Sequence, residues 1–271
     1  HPYFFELSAA KQLEILYHEL ISHIAKSIRD EAKAMEDTKG NFKKLTEGSL
    51  ASEEKRECWK GNRPLAIVEA AFEMAQIIQR GGLADVISGK AKALAKLGHN
   101  VIVFLPKWQG VKEGRRVGQA EIVINDAGER KVTLTVEEIS CRYRLKVYLL
   151  GNAEIFNQHT GEDIYAGTDK EKVLQAVVFG KAALRAIEML GLEPDIFHAH
   201  EWQAGLIPLY LAQQRENNVP SFKNTRSFFS FHNLPHKGEF DEQYFGLLGL
   251  DRGRYFNLHA LEYQGKVCLL K

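Results

Sequence analysis

Cysteine, long apolar runs and net charge are all scarce in this sequence. The three cysteines, Cys58, Cys141 and Cys268, are far apart and form no C-x-x-C pair, so we expect free thiols in a reducing compartment. No apolar run approaches the length of a membrane span, which gives no reason to expect a membrane partner. A formal net charge of +1 on 271 residues disfavours a general nucleic-acid binder and an anionic membrane surface as partners.

The two ends of the chain indicate a larger protein. The sequence begins at His1 rather than at a methionine, and it stops at Lys271 within an apolar pattern. No basic segment followed by an apolar one marks a secretory signal. We therefore expect the chain to be a piece of a longer protein.

Residues 1–61 differ in composition from the rest of the chain. Apolar side chains from Leu13 to Ile28 recur at helical spacing, which predicts an amphipathic helix. From Arg29 to Lys60 charged residues dominate and large apolar ones are few, as in a linker. We predict a helical extension and charged linker over residues 1–61, whose helix either packs on the following domain or binds a partner.

Strands and helices alternate from residue 62 onward. Short apolar runs separated by helical patterns predict parallel βαβ units, and hence a Rossmann-like, doubly wound α/β domain over residues 62–271. The predicted strands are Leu65–Val68, Val101–Leu105, Asp195–His200 and Arg226–His232. The predicted helices are Leu83–Leu97, Lys170–Leu190 and Trp202–Gln213, with a short helical turn over Tyr244–Leu250.

Two segments break this alternation. Apolar and polar residues largely alternate over Glu121–Ile124, Val132–Val136 and Tyr143–Tyr148, with a turn at Asn125–Gly128. This pattern predicts an antiparallel insertion with one face in water. The polar loop Gly151–Thr168 is long for a compact domain, and it is either a binding segment or a solvated surface loop.

Three polar segments are expected to meet at one edge of the predicted sheet, because ligands of an open parallel sheet bind outside the C-terminal ends of its strands. Two strands end there in His198–Trp202 and His232–Leu234, and the glycine turn Gln79–Gly82 can reach the same edge. Glycines before a helix start bring backbone N–H groups against a phosphate, although alone they indicate no more than a tight βα turn. Together the segments predict a pocket for sugar and phosphate, with Trp202 as a candidate stacking face.

The side chains of this edge also have alternative roles. His198 and His200 lie on one face of the strand and could bind a metal, but no third ligand at suitable spacing is visible. Hydrogen-bonded histidines are therefore favoured, and no metal is expected. Glu201 is either an acid/base or a cap on the following helix. A dinucleotide-dependent oxidoreductase also fits the bare βαβ pattern, but the sequence lacks both G-x-G-x-x-G and an acidic residue on the second strand.

Several motifs in order give the chain a family resemblance. From about Leu65 to Lys271 it resembles the N-terminal domain of the ADP-glucose-type bacterial glycogen synthases and plant starch synthases. The motifs that carry the resemblance are Arg80–Val86 (RGGLADV), Leu97–Val101 (LGHNV) leading to Leu105–Pro106, Pro194–Leu206 (PDIFHAHEWQAGL), Phe231–Leu234 (FHNL) and Leu261–Val267 (LEYQGKV). Residues 1–60 lie outside the resemblance.

The resemblance implies the GT-B architecture, in which two Rossmann-like domains face a cleft, with residues 62–271 as the N-terminal, acceptor-side domain. It implies transfer of glucose from ADP-glucose to the non-reducing 4-hydroxyl of an α-1,4-glucan, with retention and without a metal or other cofactor. The expected compartment is the cytoplasm, or the plastid stroma in a plant or alga. The alternative is a non-catalytic member of the family that binds glucan or acts as a scaffold.

The resemblance places the donor phosphates at the glycine turn, where Gly81 and Gly82 approach them. The family has a lysine at the position of Gln79, and glutamine offers only a neutral donor. The loss of a charge-assisted contact to phosphate costs roughly 1.5–3 kcal/mol, or about one to two decades in binding or rate. Arg80 is adjacent, but neighbouring side chains around a turn point in different directions.

The resemblance also implies the catalytic residues, His232, Glu201 and Asp85. Asp85, His232 and Asn233 line the glucose site, with His232 near the reacting carbon. Glu201 matches an acid that orients the substrate or the acceptor, and Tyr165 lies in a block that flanks the acceptor side.

Two further departures from the family bear on activity. The family usually has aspartate where this chain has Glu201, so the carboxylate reaches about one methylene further, and positioning errors of that size cost about a hundredfold. Lys237 replaces a residue that is usually glutamine, which is a milder change. The family's second domain is absent from the 271 residues, so we expect no turnover from this chain alone.

Overall fold

The computed structural model describes residues 63–141, 143–156, 164–233 and 235–270. The predicted helical extension and linker over residues 1–61 lie outside the described residues, as do positions 157–163 of the polar loop and Leu234. Among the described residues, no helix is both long and apolar enough to cross a membrane.

A seven-stranded sheet forms the centre of the described part of the chain. Its strands lie in the order β3-β4-β5-β2-β1-β6-β7, and neighbours within β5-β2-β1-β6-β7 are parallel. The strands are β1 (Ala66–Ala70), β2 (Asn100–Pro106), β3 (Arg115–Asn125), β4 (Glu129–Ser140), β5 (Leu145–Gly151), β6 (Ile196–His200) and β7 (Arg226–Ser230). This arrangement confirms the predicted Rossmann-like, mainly parallel α/β sheet.

The helices connect these strands and cover the sheet. They are α1 (Gly82–Lys96), α2 (Asp169–Met189), α3 (Ile207–Glu216) and the short α4 (Arg252–Tyr255). Helix α2 begins with a capping box, in which the Thr168 side chain accepts from the Glu171 N–H and the Glu171 side chain accepts from the Thr168 N–H. Its middle is buried in a core that includes the edge-to-face rings of Phe72 and Phe179, with centroids 5.2 Å apart.

The antiparallel insertion has two strands of its own rather than three, and both are longer than predicted. Strands β3 and β4 pair antiparallel around the turn at Ala127 and Gly128, as expected. The prediction that Tyr143–Tyr148 belongs to the insertion is wrong in part, because this strand starts at Leu145 and lies parallel to β2 on its other side. Apart from exposed Lys146 the strand is buried throughout, as suits a strand with neighbours on both sides and covered faces.

The predicted helix Trp202–Gln213 begins too early. Trp202–Ala204 is instead a single turn of 3₁₀ helix, and α3 starts only at Ile207. Pro208 explains the shift, since proline suits the first turn of a helix and removes a hydrogen bond further in. The fourth strand also ends two residues earlier than predicted, at Ser230, and the turn near Tyr244 is a 3₁₀ helix over Glu242–Leu248.

A second, three-stranded sheet covers the break before α3. It is made of β8 (Glu239–Asp241), β9 (Glu262–Tyr263) and β10 (Lys266–Cys268), in the order β8-β10-β9. The chain after β10 crosses directly over Gly205, where a Cβ atom would lie only 1.9 Å from the Leu269 carbonyl oxygen. Glycine is therefore required at this position for close approach rather than for an unusual φ.

We predict that Gly205→Ala lowers the free energy of unfolding by about 1–3 kcal/mol, because the new methyl group must push back a main-chain carbonyl. Gly89→Ala is the matched control. Gly89 lies inside α1, where its added Cβ would meet no atom of the described residues within 4 Å, so this change should stabilise by about 0.5–1 kcal/mol. Urea unfolding of both variants measures the difference, and equal stabilities would contradict the packing described here.

Candidate functional site

The polar segments meet where the strand order of the sheet reverses. From β1 the chain moves to β2 and β5 on one side, and it then returns to place β6 and β7 on the other side. Open α/β sheets bind their ligands in the crevice at such a switch point, outside the C-terminal ends of the strands. In this protein the crevice lies between β1 and β6, next to the N-terminus of α1.

A buried glutamate organises the glycine turn. Glu73 is 2% exposed, and its Oε2 accepts from the backbone N–H groups of Arg80 and Gly81 at 2.5 and 3.0 Å. Its Oε1 accepts from the Tyr165 hydroxyl at 2.8 Å. Burial and the charges of Glu73 and Glu201 raise the pKa of Tyr165, so that hydroxyl keeps its proton and donates. The structure thus places Tyr165 at the glycine turn.

The two glycines of the turn have no steric or conformational requirement within the described residues. Gly81 is the N-cap of α1 and has an extended backbone with φ −147°. A Cβ on Gly82 would meet nothing within 4 Å, and one on Gly81 would meet only the Glu73 carboxylate at 3.6 Å. Close approach of a ligand therefore remains the prediction that accounts for both glycines.

Gln79 and Asp85 contact each other at the exposed entrance to α1. The Gln79 side-chain amide donates to both carboxylate oxygens of Asp85, at 3.2 and 3.1 Å. Asp85 lies in the first turn of α1, where the helix dipole favours a negative charge. The predicted phosphate-side residue and the predicted glucose-side residue are therefore direct neighbours.

Glu201 sits in a strained backbone conformation immediately after β6. Its φ of 62° and ψ of 167° lie in a region that is nearly restricted to glycine and costs about 1–3 kcal/mol. The side chain is 7% exposed, and its Oε1 accepts from the His232 N–H at 2.5 Å. It makes no capping hydrogen bond to the following 3₁₀ helix, so the capping interpretation is wrong.

His232 and Asn233 are exposed at the end of β7, as the abrupt change to polar sequence predicted. Glu201 holds the backbone of His232, and the His232 ring contacts His200, with His232 Nε2 at 3.1 Å from His200 Nδ1. Asn233 makes a turn in which its carbonyl accepts from the His236 N–H at 3.1 Å.

A buried charged cluster lies directly beneath these residues, and two of its members, Glu69 and Lys90, were not predicted from the sequence. Glu69 of β1 is 1% exposed, and its Oε2 lies 2.9 Å from Lys90 Nζ of α1 and 2.6 Å from His200 Nε2. His198, the register neighbour of Glu69 on β6, contacts Lys90 through Nδ1 and Ser230 Oγ through Nε2 at 2.8 Å. A glutamate inside the apolar strand AIVEA is the signal that could have revealed the cluster.

The charges of the cluster balance one another. Burial alone would raise the pKa of Glu69, but Lys90 and the two histidines lower it below its ordinary value. Burial lowers the pKa of Lys90, against the opposing effect of Glu69. Burial also lowers the pKa values of His198 and His200, although Glu69 acts in the other direction. These shifts favour an ionised Glu69 carboxylate and neutral imidazoles at His198 and His200, with Lys90 as the ion-pair partner of the carboxylate.

Glu69, His198 and His200 are close enough to hold a metal ion, since their ligand atoms lie within 4.8 Å of one another. Glu69, on the neighbouring strand, is therefore the third ligand that spacing in the sequence does not reveal. Both histidines are nevertheless hydrogen-bonded, and the Lys90 ammonium already occupies the cation position beside the carboxylate.

Trp202 is committed to internal packing. Its ring lies edge-on to Phe240, with centroids 5.3 Å apart, and a Cβ on Gly238 would approach the ring to 2.6 Å. The partly buried indole therefore supports the second sheet, and its role as a stacking face for a sugar remains untested.

Comparisons with known proteins agree on one family. The family described as "Starch synthase catalytic domain" matches residues 66–271. The glycogen synthase of Geotalea uraniireducens is 31% identical over 214 residues, covering 76% of this chain and 43% of that protein. The glycogen synthase of Elusimicrobium minutum is 33% identical over 210 residues, covering 76% and 42%.

A solved structure agrees with these relatives. It is the catalytic domain of Starch Synthase IV from Arabidopsis thaliana bound to ADP and acarbose, which matches with a TM-score of 0.64 and 25% identity, covering 77% of this chain and 42% of that one. The chain thus spans less than half the length of these relatives.

We predict that Lys90→Met lowers the free energy of unfolding by about 3–5 kcal/mol, because it leaves the Glu69 carboxylate buried without its cation. The double variant Glu69→Leu/Lys90→Met should regain most of this loss, since two apolar side chains replace the pair. Lys131→Met removes half of an exposed pair with Glu121 and should change stability by less than about 0.5 kcal/mol. Urea unfolding measures the stability of all three variants. A Lys90→Met protein as stable as the wild type would contradict a buried ion pair.

We also predict that the protein loses stability as the pH falls from 7 to 5. The folded state keeps His198 and His200 neutral, whereas the unfolded chain takes up protons near the ordinary histidine pKa of 6.5. Below that pH the unfolded state binds more protons, so each histidine contributes a loss of up to about 1.4 kcal/mol per pH unit. Urea midpoints measured from pH 8 to pH 5 test this prediction. A stability that does not change with pH below 6.5 would contradict it.

Proposed function

Because this chain belongs to the starch synthase catalytic domain family, we propose that it forms the N-terminal, acceptor-side half of a glucosyltransferase of glycogen or starch synthesis. The proposed reaction transfers glucose from ADP-glucose to the non-reducing 4-hydroxyl of an α-1,4-glucan, with retention and without a metal. The ADP and acarbose bound to the Arabidopsis relative support a nucleotide sugar as donor and a glucan as acceptor.

One observation carries the proposal: hydrogen bonds converge on the switch-point crevice from both sides. Glu73 joins the glycine turn to Tyr165 on one side, and Glu201 holds the His232 backbone on the other. The charge of Glu201 also contributes to raising the pKa of Tyr165, as expected for groups on two neighbouring sides of one crevice. An activated hexose in this crevice would meet anion-binding backbone, carboxylates and an imidazole together.

In this proposal the donor diphosphate lies at the turn Gly81–Gly82, against backbone N–H groups of the first turn of α1, because the Gly81 N–H itself donates to Glu73. The glucosyl ring lies between Asp85 and the pair His232 and Asn233, with His232 near the reacting carbon. The Gln79 side chain, whose amide donates to Asp85, stands at the position nearest the phosphates and offers them a neutral hydrogen-bond donor.

Glu201 and Tyr165 act mainly by orientation. The Glu201 carboxylate orients the substrate side by holding the main chain of His232. The Tyr165 hydroxyl donates to Glu73, and the residue is 39% exposed, which leaves it available to an acceptor glucan.

The remaining groups of the site belong to a second domain of the whole protein. The relatives are more than twice as long as their match to this chain, which supports a further GT-B domain that completes the diphosphate site. This chain alone should therefore release no ADP from ADP-glucose and glycogen. The free thiols of Cys141 and Cys268 suit the cytoplasm, or the plastid stroma in a plant or alga.

We predict that Gln79→Lys in the full-length protein raises kcat/KM for ADP-glucose by about ten- to a hundredfold, because a lysine adds a charged contact to the donor phosphates. Gln119→Lys is the matched control, since it adds the same charge on edge strand β3 and should leave the rate unchanged. Incorporation of labelled glucose into glycogen measures the effect.

The outcomes of this experiment separate the two family hypotheses. High activity of both the parent and the Gln79→Lys protein would support the synthase and show that glutamine is tolerated. No glucose transfer by either protein would contradict the proposal and favour the non-catalytic glucan-binding or scaffold alternative.

A further inference from the structure

We propose that Glu69 and His200 are positioning residues that fix the imidazole of His232 as its Nε2–H tautomer. The hydrogen-bond chain Glu69–His200–His232 carries this inference, and nothing in it depends on which sugar binds. Only the catalytic use of the fixed ring rests on the proposed function.

The first link of the chain is a short contact inside the protein. Glu69 comes from the central strand β1, and its Oε2 lies 2.6 Å from His200 Nε2 on β6, with both side chains 1% exposed. A carboxylate that is ionised has only acceptor capacity. Lys90, 2.9 Å away, keeps Glu69 ionised, so the hydrogen of this bond belongs to His200 Nε2.

The second link takes its direction from the first. A neutral imidazole carries one N–H, so His200, protonated at Nε2, presents a lone pair at Nδ1. His232 Nε2 lies 3.1 Å from that atom, and the two ring planes are inclined by only 17°, which suits a hydrogen bond lying in the plane of the rings. His232 Nε2 must therefore be the donor.

As a result, each nitrogen of the His232 ring has one defined role. With its proton at Nε2, His232 has its remaining lone pair at Nδ1, where it can accept from a hydroxyl and cannot donate. Glu201 anchors the backbone of the same residue through its N–H. The main chain and the ring of His232 are thus fixed by two buried carboxylates, one acting directly and one through His200. Carboxylates that act through a histidine in this way set its tautomer and orientation in many protein sites.

A nearby cation does not disturb this direction. The groups that face His200 are Glu69, Lys90 and His198, whose ring stacks on it with centroids 4.0 Å apart. Lys90 contacts Glu69 Oε2 and His198 Nδ1, while the His200 Nδ1 atom lies 3.1 Å from His232 Nε2.

The test is the protonation of the His232 ring nitrogens, observed by long-range ¹H–¹⁵N correlation in ¹⁵N-histidine-labelled full chain at pH 7.5. A His232→Gln spectrum assigns the signals. The wild-type protein should show His232 protonated at Nε2 and unprotonated at Nδ1. A ring protonated at Nδ1, or one averaged between the two tautomers, would overturn the proposal.

Removing the acceptor should release the ring. Glu69→Leu/Lys90→Met replaces the ion pair by apolar side chains, and His232 should then lose its single-tautomer signature. The control Lys107→Met/Glu137→Leu removes another largely buried ion pair, between the residue after β2 and a residue of β4, and should leave the His232 signals unchanged. A His232 spectrum that is the same in both double variants would overturn the role of Glu69.

A third variant covers the case in which the Glu69 double variant does not fold. His200→Phe keeps a ring in place and leaves the ion pair intact, and it should release His232 in the same way; retention of the single tautomer would contradict the chain. Because this measurement uses neither ADP-glucose nor glucan, its outcome is independent of whether the full-length protein transfers glucose.

Discussion

The ion pair between Glu69 and Lys90 joins the two elements from which the candidate site is built. Glu69 lies on the central strand β1, and Lys90 projects from the buried side of α1, whose first residue belongs to the glycine turn. The pair therefore fixes how far the turn lies from the strand ends. A buried pair of this kind adds little net stability over apolar packing, but its loss on one side is costly, so it specifies position more than it contributes energy.

The features of the fold that depend on local sequence could be predicted. The apolar run at Val101–Leu105 and the spaced apolar residues of Lys170–Leu190 have a single sensible interpretation, and both elements were placed within two residues of their observed ends. The orientation of Tyr143–Tyr148 could not be predicted in the same way. Its local alternation resembles an antiparallel strand, whereas its parallel pairing with β2 is set by a partner distant in the sequence.

The residues of the candidate site also differ in whether local sequence reveals them. The motifs located the glycine turn, Glu201 and His232, because glycine pairs and abrupt polar strand ends are visible in a sequence. Glu73 and Lys90 were missed, because their significance lies in contacts across the fold: one carboxylate bonds two main-chain N–H groups, and one ammonium faces a strand. Glu69 differs from these two residues, because a glutamate within an apolar strand can be recognised in the sequence once that strand is expected to be buried.

The backbone of Glu201 ties the alignment of two strands to the position of His232. A glutamate adopts a glycine-like backbone conformation only where the surrounding structure holds it there. At Glu201 one such constraint is the hydrogen bond from its N–H to the Ser230 carbonyl, which requires β6 and β7 to be aligned. Glu201 thus couples the pairing of β6 with β7 to the placement of the His232 backbone. A glycine at position 201 would remove the backbone strain, but it would also remove the carboxylate that accepts from the His232 N–H. The strain is therefore the cost of having a carboxylate at this position.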